Sequence, residues 1–145
     1  MPGDDPQTLA ELCASALWAT DTAAKALDIE IESIAPGSAT LVMRIRENMT
    51  NGHGTCHGGY IFTLADAAFA FACNTYNQRC VAQHCSISYL APALCGDRLE
   101  AVAREISRIG RNGIYDVVVS CDRQGTIAEF RGHSRTIKDK LLPEA

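Results

Sequence analysis

Apolar residues follow a helical period in two parts of the chain. The first part covers residues 7–19 and continues, after an N-cap at Thr20 or Asp21, as a short helical turn ending at Leu27. The second part is residues 59–75, where apolar side chains occupy nearly the whole circumference. A helix of that kind is usually buried. We therefore expect one central helix and a separate N-terminal helical segment.

Alternating apolar and polar residues predict strands in the rest of the chain. Residues 29–46 alternate around a turn at Pro36-Gly37, which is typical of a hairpin. Four more alternating runs follow the central helix, at residues 81–90, 98–109, 113–122 and 126–137. Their short connections predict antiparallel neighbours. The pattern favours a single α+β domain, in which an antiparallel sheet covers one helix. Its predicted parts are a helical segment at 7–27, a core at 28–137 and a polar tail at 138–145.

Composition and charge argue against several classes of function. The 145 residues carry a formal net charge of −4, which does not favour a nucleic-acid partner. No stretch approaches the roughly 20 apolar residues of a membrane span. The N-terminus, Met1-Pro-Gly-Asp-Asp5, lacks the basic-then-apolar order of a signal peptide. Seven cysteines without a CxxC pair favour free thiols in a reducing cytoplasm.

Asp66 is the single formally charged residue between positions 48 and 78, and it falls within the most apolar helix. A carboxylate there is costly to bury unless another group pairs with it or the protein uses it. One alternative is a structural Asp66 that accepts a hydrogen bond from a hydroxyl or a backbone N–H. The other is a catalytic carboxylate.

Gly58 and Gly59 lie where a glycine-rich loop enters this helix. Their N–H groups have no intrahelical acceptors, and such groups suit an oxyanion site, although two glycines also permit a tight turn. Asp66 lies about 12 Å further along the helix, too far to flank one carbonyl together with Gly58. If both act, two antiparallel helices related by a two-fold axis must supply them from two chains.

Polar residues upstream of the glycines leave several alternatives open. Asn51 can hold a water molecule or simply form a turn with Gly52. His57 can donate to a carbonyl or stabilise the loop. A Cys56 nucleophile activated by His57 is a weaker hypothesis, because adjacent residues usually point apart. A zinc site is also a weak hypothesis, since the spacing matches no compact pattern. Its ligands would come from His53, Cys56, His57, Cys80, His84 and Cys85.

The sequence Asn51-Gly-His-Gly-Thr-Cys-His57-Gly58-Gly59, followed after six residues by Asp66, resembles the hot-dog-fold acyl-CoA thioesterases. It is most similar to their phenylacetate-degradation (PaaI-type) group. The resemblance extends from about Lys25 to Ile137. Further matching stretches are Ser86–Pro92, Gly96-Asp97, Ile114–Asp116 and Phe130–Gly132.

The resemblance implies a hot-dog fold, with an active site at a dimer interface and a homotetramer built from two dimers. The amide of Gly58 would polarise the thioester carbonyl. Asp66 of the partner subunit would activate a water molecule or attack directly. Asn51 would help to hold the water or the carboxylate, and His57 would support the carbonyl side.

Coenzyme A would be held by basic residues and by a loop of small residues. The candidates for its phosphates are Arg111, Arg135 and Lys138, and Asn112 with Gly113 fits the approach to its pantetheine arm. Each has an ordinary alternative as a solvated charge or a turn residue. The aromatic side chains that can line an acyl pocket, or else belong to the core, are Tyr60, Phe62, Phe69 and Tyr89.

These observations predict an enzyme that hydrolyses a small aryl acyl-CoA thioester without a metal or redox cofactor. The choice of a phenylacetyl or hydroxyphenylacetyl group rests on the resemblance alone. A hot-dog protein that binds acyl-CoA without turnover is one alternative. A hydratase or dehydratase on the same fold is another, although its chemistry favours a His–acid pair and this helix supplies only Asp66.

Overall fold

The computed structural model describes residues 4–144, and it confirms the predicted order of helices and strands. Two helices come first, then a hairpin, then the long helix and four strands. The bounds are α1 Pro6–Ala19, α2 Thr22–Ala26, β1 Glu30–Ala35, β2 Ser38–Arg44, α3 Gly58–Cys73, β3 Cys80–Tyr89, β4 Arg98–Ile109, β5 Asn112–Cys121 and β6 Gly125–Thr136. A 3-10 turn at Glu47–Met49 precedes the loop into α3.

The six strands form one antiparallel sheet in the order β1-β2-β4-β5-β6-β3. Helix α3 connects β2 to β3, and β3 lies at the far edge of the sheet, where it pairs with β6. Helix α3 contacts all six strands, so the sheet curves round it and the core lies between them. This arrangement confirms the predicted α+β hot-dog fold.

The N-terminal helices begin at side-chain caps. Asp5 accepts a hydrogen bond from the N–H of Thr8 at 2.9 Å, and Pro6 fits the first helical position. Of the two residues predicted to cap the second helix, Asp21 is the one that does so, through the N–H of Ala24 at 3.0 Å. This segment packs on the domain partly through α1, which contacts β1.

Helix α3 is buried on one side only. It starts one residue earlier than predicted. It also ends two residues earlier, because side-chain hydrogen bonds from Asn74 and Thr75 terminate it. Half of its 16 residues are buried. The expectation of burial all round is therefore wrong for a single chain, whose sheet covers one side of the helix. The uncovered side, the open stripe, consists of Gly59, Tyr60, Phe62, Thr63, Asp66, Ala67 and Ala70.

The chain ends against the loop between α3 and β3. Asn77 has a left-handed φ of 56°, and its Oδ1 accepts the N–H groups of Leu141 and Leu142 at 3.1 and 2.9 Å. The predicted polar tail is thus held to the domain, and its last residue, Ala145, lies outside the described residues, as do residues 1–3. Across residues 4–144, no helix is long and apolar enough to cross a membrane.

Candidate active site

Asn51 organises the loop that leads into α3. Its Oδ1 accepts the N–H groups of His53 and Thr55 at 2.9 and 3.3 Å, and its Nδ2 donates to the Thr55 hydroxyl at 2.8 Å. Both polar atoms of this side chain are therefore used inside the loop. The turn-forming alternative for Asn51 is present in the structure, and its role towards a water molecule stays a prediction.

The first turn of α3 leaves backbone donors free. His57 precedes the helix with an extended backbone, and its exposed side chain makes no capping hydrogen bond. The N–H of Tyr60 donates to the His57 carbonyl at 3.1 Å, but within residues 4–144 the N–H groups of Gly58 and Gly59 have no acceptor. These two donors lie at the positive end of the helix dipole, where a developing oxyanion is stabilised.

Asp66 projects from the open stripe of α3 and is half-buried. Among the described residues its carboxylate has no hydrogen-bond donor and no cation as a partner, so the structural alternative is wrong for a single chain. Burial raises the pKa of this carboxyl above its ordinary value, and the negative charge of Asp21 raises it further. The fold therefore holds an unpaired carboxylate at the edge of its core.

Strand β3 runs antiparallel to α3, so positions along β3 give an estimate of the distance between Gly58 and Asp66. Tyr89 contacts Gly58 at the start of the helix, and Cys80 bonds to Asn74 at its end. The charge of Asp66 acts on Cys85, midway along β3. Four strand residues cover about 13 Å, close to the ~12 Å that separates Gly58 from Asp66 along the helix. One chain therefore does not bring the two groups to a common carbonyl, as expected.

The cysteine nucleophile is not supported by its surroundings. Burial raises the pKa of Cys56 to about 11, so this thiol is protonated at neutral pH. Its Sγ donates to the carbonyl of His57 at 3.3 Å rather than to an imidazole. The zinc hypothesis is not supported either, because nowhere in the described part of the chain do three potential ligands lie close enough together to hold a metal ion.

A cavity of about 910 Å³ opens beside the C-terminal end of α3. It brings together four of the residues predicted to hold coenzyme A, which are Arg111, Asn112, Gly113 and Lys138. Arg135 lies at its margin, with Nη1 3.5 Å from the Asn112 Oδ1. Arg108, which no sequence pattern indicated, adds a third cation to the wall, and its guanidinium lies 3.5 Å from the centre of the Tyr76 ring.

The aromatic residues divide between core and site. Phe69 is buried, and its ring lies 5.7 and 5.8 Å from those of Tyr115 and Phe130, so it belongs to the core. Phe62 lies on the open stripe with one edge on Phe130. Tyr89 is half-exposed and lies directly against Gly58. This contact was not predicted, because it depends on the course of β3 along α3, which local sequence patterns do not reveal.

Comparison with known proteins identifies the family. Residues 53–128 match the model of the thioesterase superfamily. The acyl-coenzyme A thioesterase PaaI of Escherichia coli K12 is 42% identical over 132 residues, covering 91% of this chain and 94% of that protein. The structure of E. coli PaaI, from the phenylacetic acid degradation operon, superposes with a TM-score of 0.92 at 40% identity and covers 94% of this chain and 99% of that one.

Two further structures extend the comparison. A variant of the phenylacetic acid degradation protein PaaI from Thermus thermophilus is 35% identical with a TM-score of 0.77, over 81% of this chain and 100% of that one. A Streptococcus mutans protein solved with acetyl-CoA shares the fold, with a TM-score of 0.73 at 23% identity over 77% of this chain and 90% of that one. The chain therefore belongs to the thioesterase superfamily and, within it, to the hot-dog-fold acyl-CoA thioesterases of the PaaI type.

Proposed function

We propose that this protein hydrolyses small aryl acyl-CoA thioesters, such as phenylacetyl-CoA, to free coenzyme A and the acid. The observation that carries the proposal is the unpaired carboxylate of Asp66, which the fold holds half-buried on the open stripe of α3. The relatives named for acyl-CoA thioesterase activity and for phenylacetic acid degradation support the substrate class.

The proposed active unit is a homodimer in which two copies of α3 lie antiparallel across a two-fold axis. This arrangement brings Gly58 of one chain opposite Asp66 of the partner subunit and creates two equivalent sites. Two features support it. The open stripe exposes apolar side chains in the single chain, and β3 pairs with β6 alone among the described strands, so its outer edge is free to pair. We propose that two dimers then form a homotetramer.

In the proposed reaction, the N–H of Gly58 donates to the thioester carbonyl oxygen and stabilises the tetrahedral intermediate. Asp66 of the partner subunit removes a proton from the attacking water, or attacks the carbonyl itself and is released by water. A raised pKa suits the first route, because a carboxylate base is more effective when its pKa approaches the working pH. The C–S bond breaks, and the coenzyme A thiolate leaves and takes up a proton. Water is the only co-substrate.

The cavity beside the end of α3 is the proposed site for coenzyme A. Arg111 and Lys138 supply positive charge for its phosphates, and Asn112 with Gly113 supplies backbone next to its pantetheine arm. The cavity reaches Cys73, about 10 Å along α3 from Asp66, so one ligand can extend from it towards the carboxylate. We propose a cytoplasmic location, where the seven free thiols stay reduced.

The test is the loss of thioester ultraviolet absorbance with phenylacetyl-CoA, for wild type beside Asp66→Asn. We expect hydrolysis by wild type and a rate lower by about 10²–10⁴ in Asp66→Asn, because the variant cannot accept a proton. Asp122→Asn, at the exposed turn between β5 and β6, is the matched control. Binding without turnover by wild type would indicate an acyl-CoA-binding protein instead, and full activity in Asp66→Asn would exclude the mechanism.

The shared site is tested with hybrid dimers. Dimers of Asp66→Asn alone or of Gly58→Pro alone have no intact site. A mixed dimer has one, formed by Gly58 of the Asp66→Asn chain and Asp66 of the Gly58→Pro chain. Random exchange should restore about a quarter of wild-type activity, because half of the dimers are mixed and each has one working site. No recovery, with subunit exchange verified by native mass spectrometry, would contradict a carboxylate from the partner subunit.

A further inference from the structure

Tyr89 makes an unusual contact with the first residue of α3. Its hydroxyl donates to the carbonyl oxygen of Gly58 at 2.8 Å. Its ring lies so close that a Cβ added to Gly58 would come within 2.8 Å of it. The contact therefore requires glycine at position 58, and it ties the end of β3 to the start of the helix.

The carbonyl of Gly58 and the N–H of Gly59 belong to one peptide group. In an α-helix this carbonyl also accepts the N–H four residues later, so the hydroxyl of Tyr89 is a second donor to the same oxygen. Two donors at the oxygen polarise the amide and strengthen its N–H as a donor. That N–H, in Gly59, has no acceptor within residues 4–144, and a Cβ at Gly59 would meet no atom within 4 Å. The strengthened donor therefore has no partner among the described residues and belongs to an exposed residue.

We infer that Tyr89 is a positioning residue of the oxyanion site, and that the Gly58–Gly59 peptide it holds supplies a second donor, the N–H of Gly59, to the thioester carbonyl oxygen. The inference rests on the proposed function. It assigns Tyr89 a role other than lining an acyl pocket, because its hydroxyl is committed to the backbone. Two N–H donors at one oxygen are the usual composition of an oxyanion hole.

The protonation state of Tyr89 fits this role. Burial raises the pKa of its hydroxyl above the ordinary value of 10.0, and Cys56 raises it further. The hydroxyl therefore keeps its proton at neutral pH and remains a donor. Half of the side chain is exposed, so a water molecule would satisfy the hydroxyl equally well if the contact had no other role.

The first readout is kinetic. Tyr89→Phe keeps the ring and removes the hydroxyl, and we expect kcat for phenylacetyl-CoA to fall about fivefold with KM unchanged, since the lost polarisation acts on the transition state. Ser88→Ala, on the adjacent exposed position of β3, is the control. An unchanged kcat would overturn the inference, and so would a rise in KM at constant kcat, which indicates a role in binding the acyl group.

The second readout does not depend on activity. Gly58–Gly59 is the only Gly-Gly pair in the sequence. Protein labelled with glycine that carries ¹³C at the carbonyl and ¹⁵N therefore gives one carbonyl–amide correlation in an HNCO spectrum, and it reports this peptide. We expect the ¹³C and ¹H shifts of that signal to move upfield in Tyr89→Phe but not in Ser88→Ala. An unmoved signal would overturn the inference alone, whereas a wild type that hydrolyses no aryl acyl-CoA would refute the proposed function.

Discussion

The two ends of α3 differ in whether side chains form hydrogen bonds with their free backbone groups. At the C-terminal end, Asn74 and Thr75 are buried, and their side chains donate to the carbonyls of Ala70 and Ala72 at 2.8 and 3.0 Å. At the N-terminal end no side chain caps the helix, and the N–H groups of Gly58 and Gly59 stay free among the described residues. Every α-helix leaves N–H groups at its start and carbonyl groups at its end without intrahelical partners.

The difference separates an end of this helix whose backbone groups are satisfied by side chains from an end whose N–H groups have no partner among the described residues. The chain has the means to satisfy a helix end, because Asp5 and Asp21 cap the two N-terminal helices. The absence of a cap on α3 among the described residues therefore leaves room for an acceptor from outside the chain. We propose that this acceptor is the carbonyl oxygen of the thioester.

Of the two ends of α3, the uncapped one should give the larger effect when a donor is removed. Gly58→Pro deletes the N–H, and proline suits the first position of a helix. Gly58→Ala is the matched control, because it places a similar Cβ against Tyr89 but keeps the N–H. We expect kcat of the proline variant to be about 10²–10³ lower than that of the alanine variant, measured with phenylacetyl-CoA. Equal rates in the two variants would show that the N–H of Gly58 does not contact the reacting carbonyl.

At the capped end, a substitution should reduce stability and leave chemistry intact. Asn74→Ala removes the hydrogen bond to Ala70 and also two to Cys80, at 3.2 and 2.9 Å. Because these groups are buried, we expect the free energy of unfolding to fall by about 2–3 kcal/mol. Urea unfolding measures it, with the exposed Asn48→Ala as control. A variant of full stability but reduced kcat would contradict the division between the ends.

The sequence predicted the fold closely because each element has its own signal. The strands of the sheet alternate, α3 is apolar, and glycines with left-handed φ lie in turns such as Gly37 and Gly110. Helix ends were less predictable. The sequence predicted that Asn74 and Thr75 belong to the helix. Their role in ending it depends on tertiary neighbours such as Gly37, whose N–H donates to the Thr75 hydroxyl at 2.8 Å.

The distance between the two candidate catalytic groups was predictable from the sequence, but the contacts around them were not. The spacing of Gly58 and Asp66 in the sequence excludes a site that uses both groups of one chain, because helix geometry fixes the distance between them. The contact of Tyr89 with Gly58 and the position of Arg108 in the cavity wall depend on which strands pair and where α3 lies on the sheet. Local sequence patterns carry neither kind of information.

The smallest expected effect is on stability and concerns Asp66, midway between the two ends. Its pKa in the folded protein lies above the ordinary 3.8, chiefly through burial, so the folded state holds its proton more tightly than the unfolded state does. Stability is therefore lost as the pH rises from the ordinary value through the raised one. Asp66→Asn removes the charge and should raise the free energy of unfolding at neutral pH. The gain should shrink as the pH falls and vanish below the ordinary value of 3.8, where Asp66 of the wild type is protonated in both the folded and the unfolded state.

Urea unfolding of Asp66→Asn, wild type and Asp122→Asn across this pH range measures the effect. A stable but inactive Asp66→Asn would mean that the protein keeps a destabilising carboxylate for its chemistry, in the way that active sites often reduce stability. Lower stability of the variant at neutral pH would mean the reverse, because a carboxylate that stabilises the fold must have a partner in the assembled protein. In that case the middle of α3 would resemble its capped end, and the free donors of Gly58 and Gly59 would be the only part of the helix left open to a ligand.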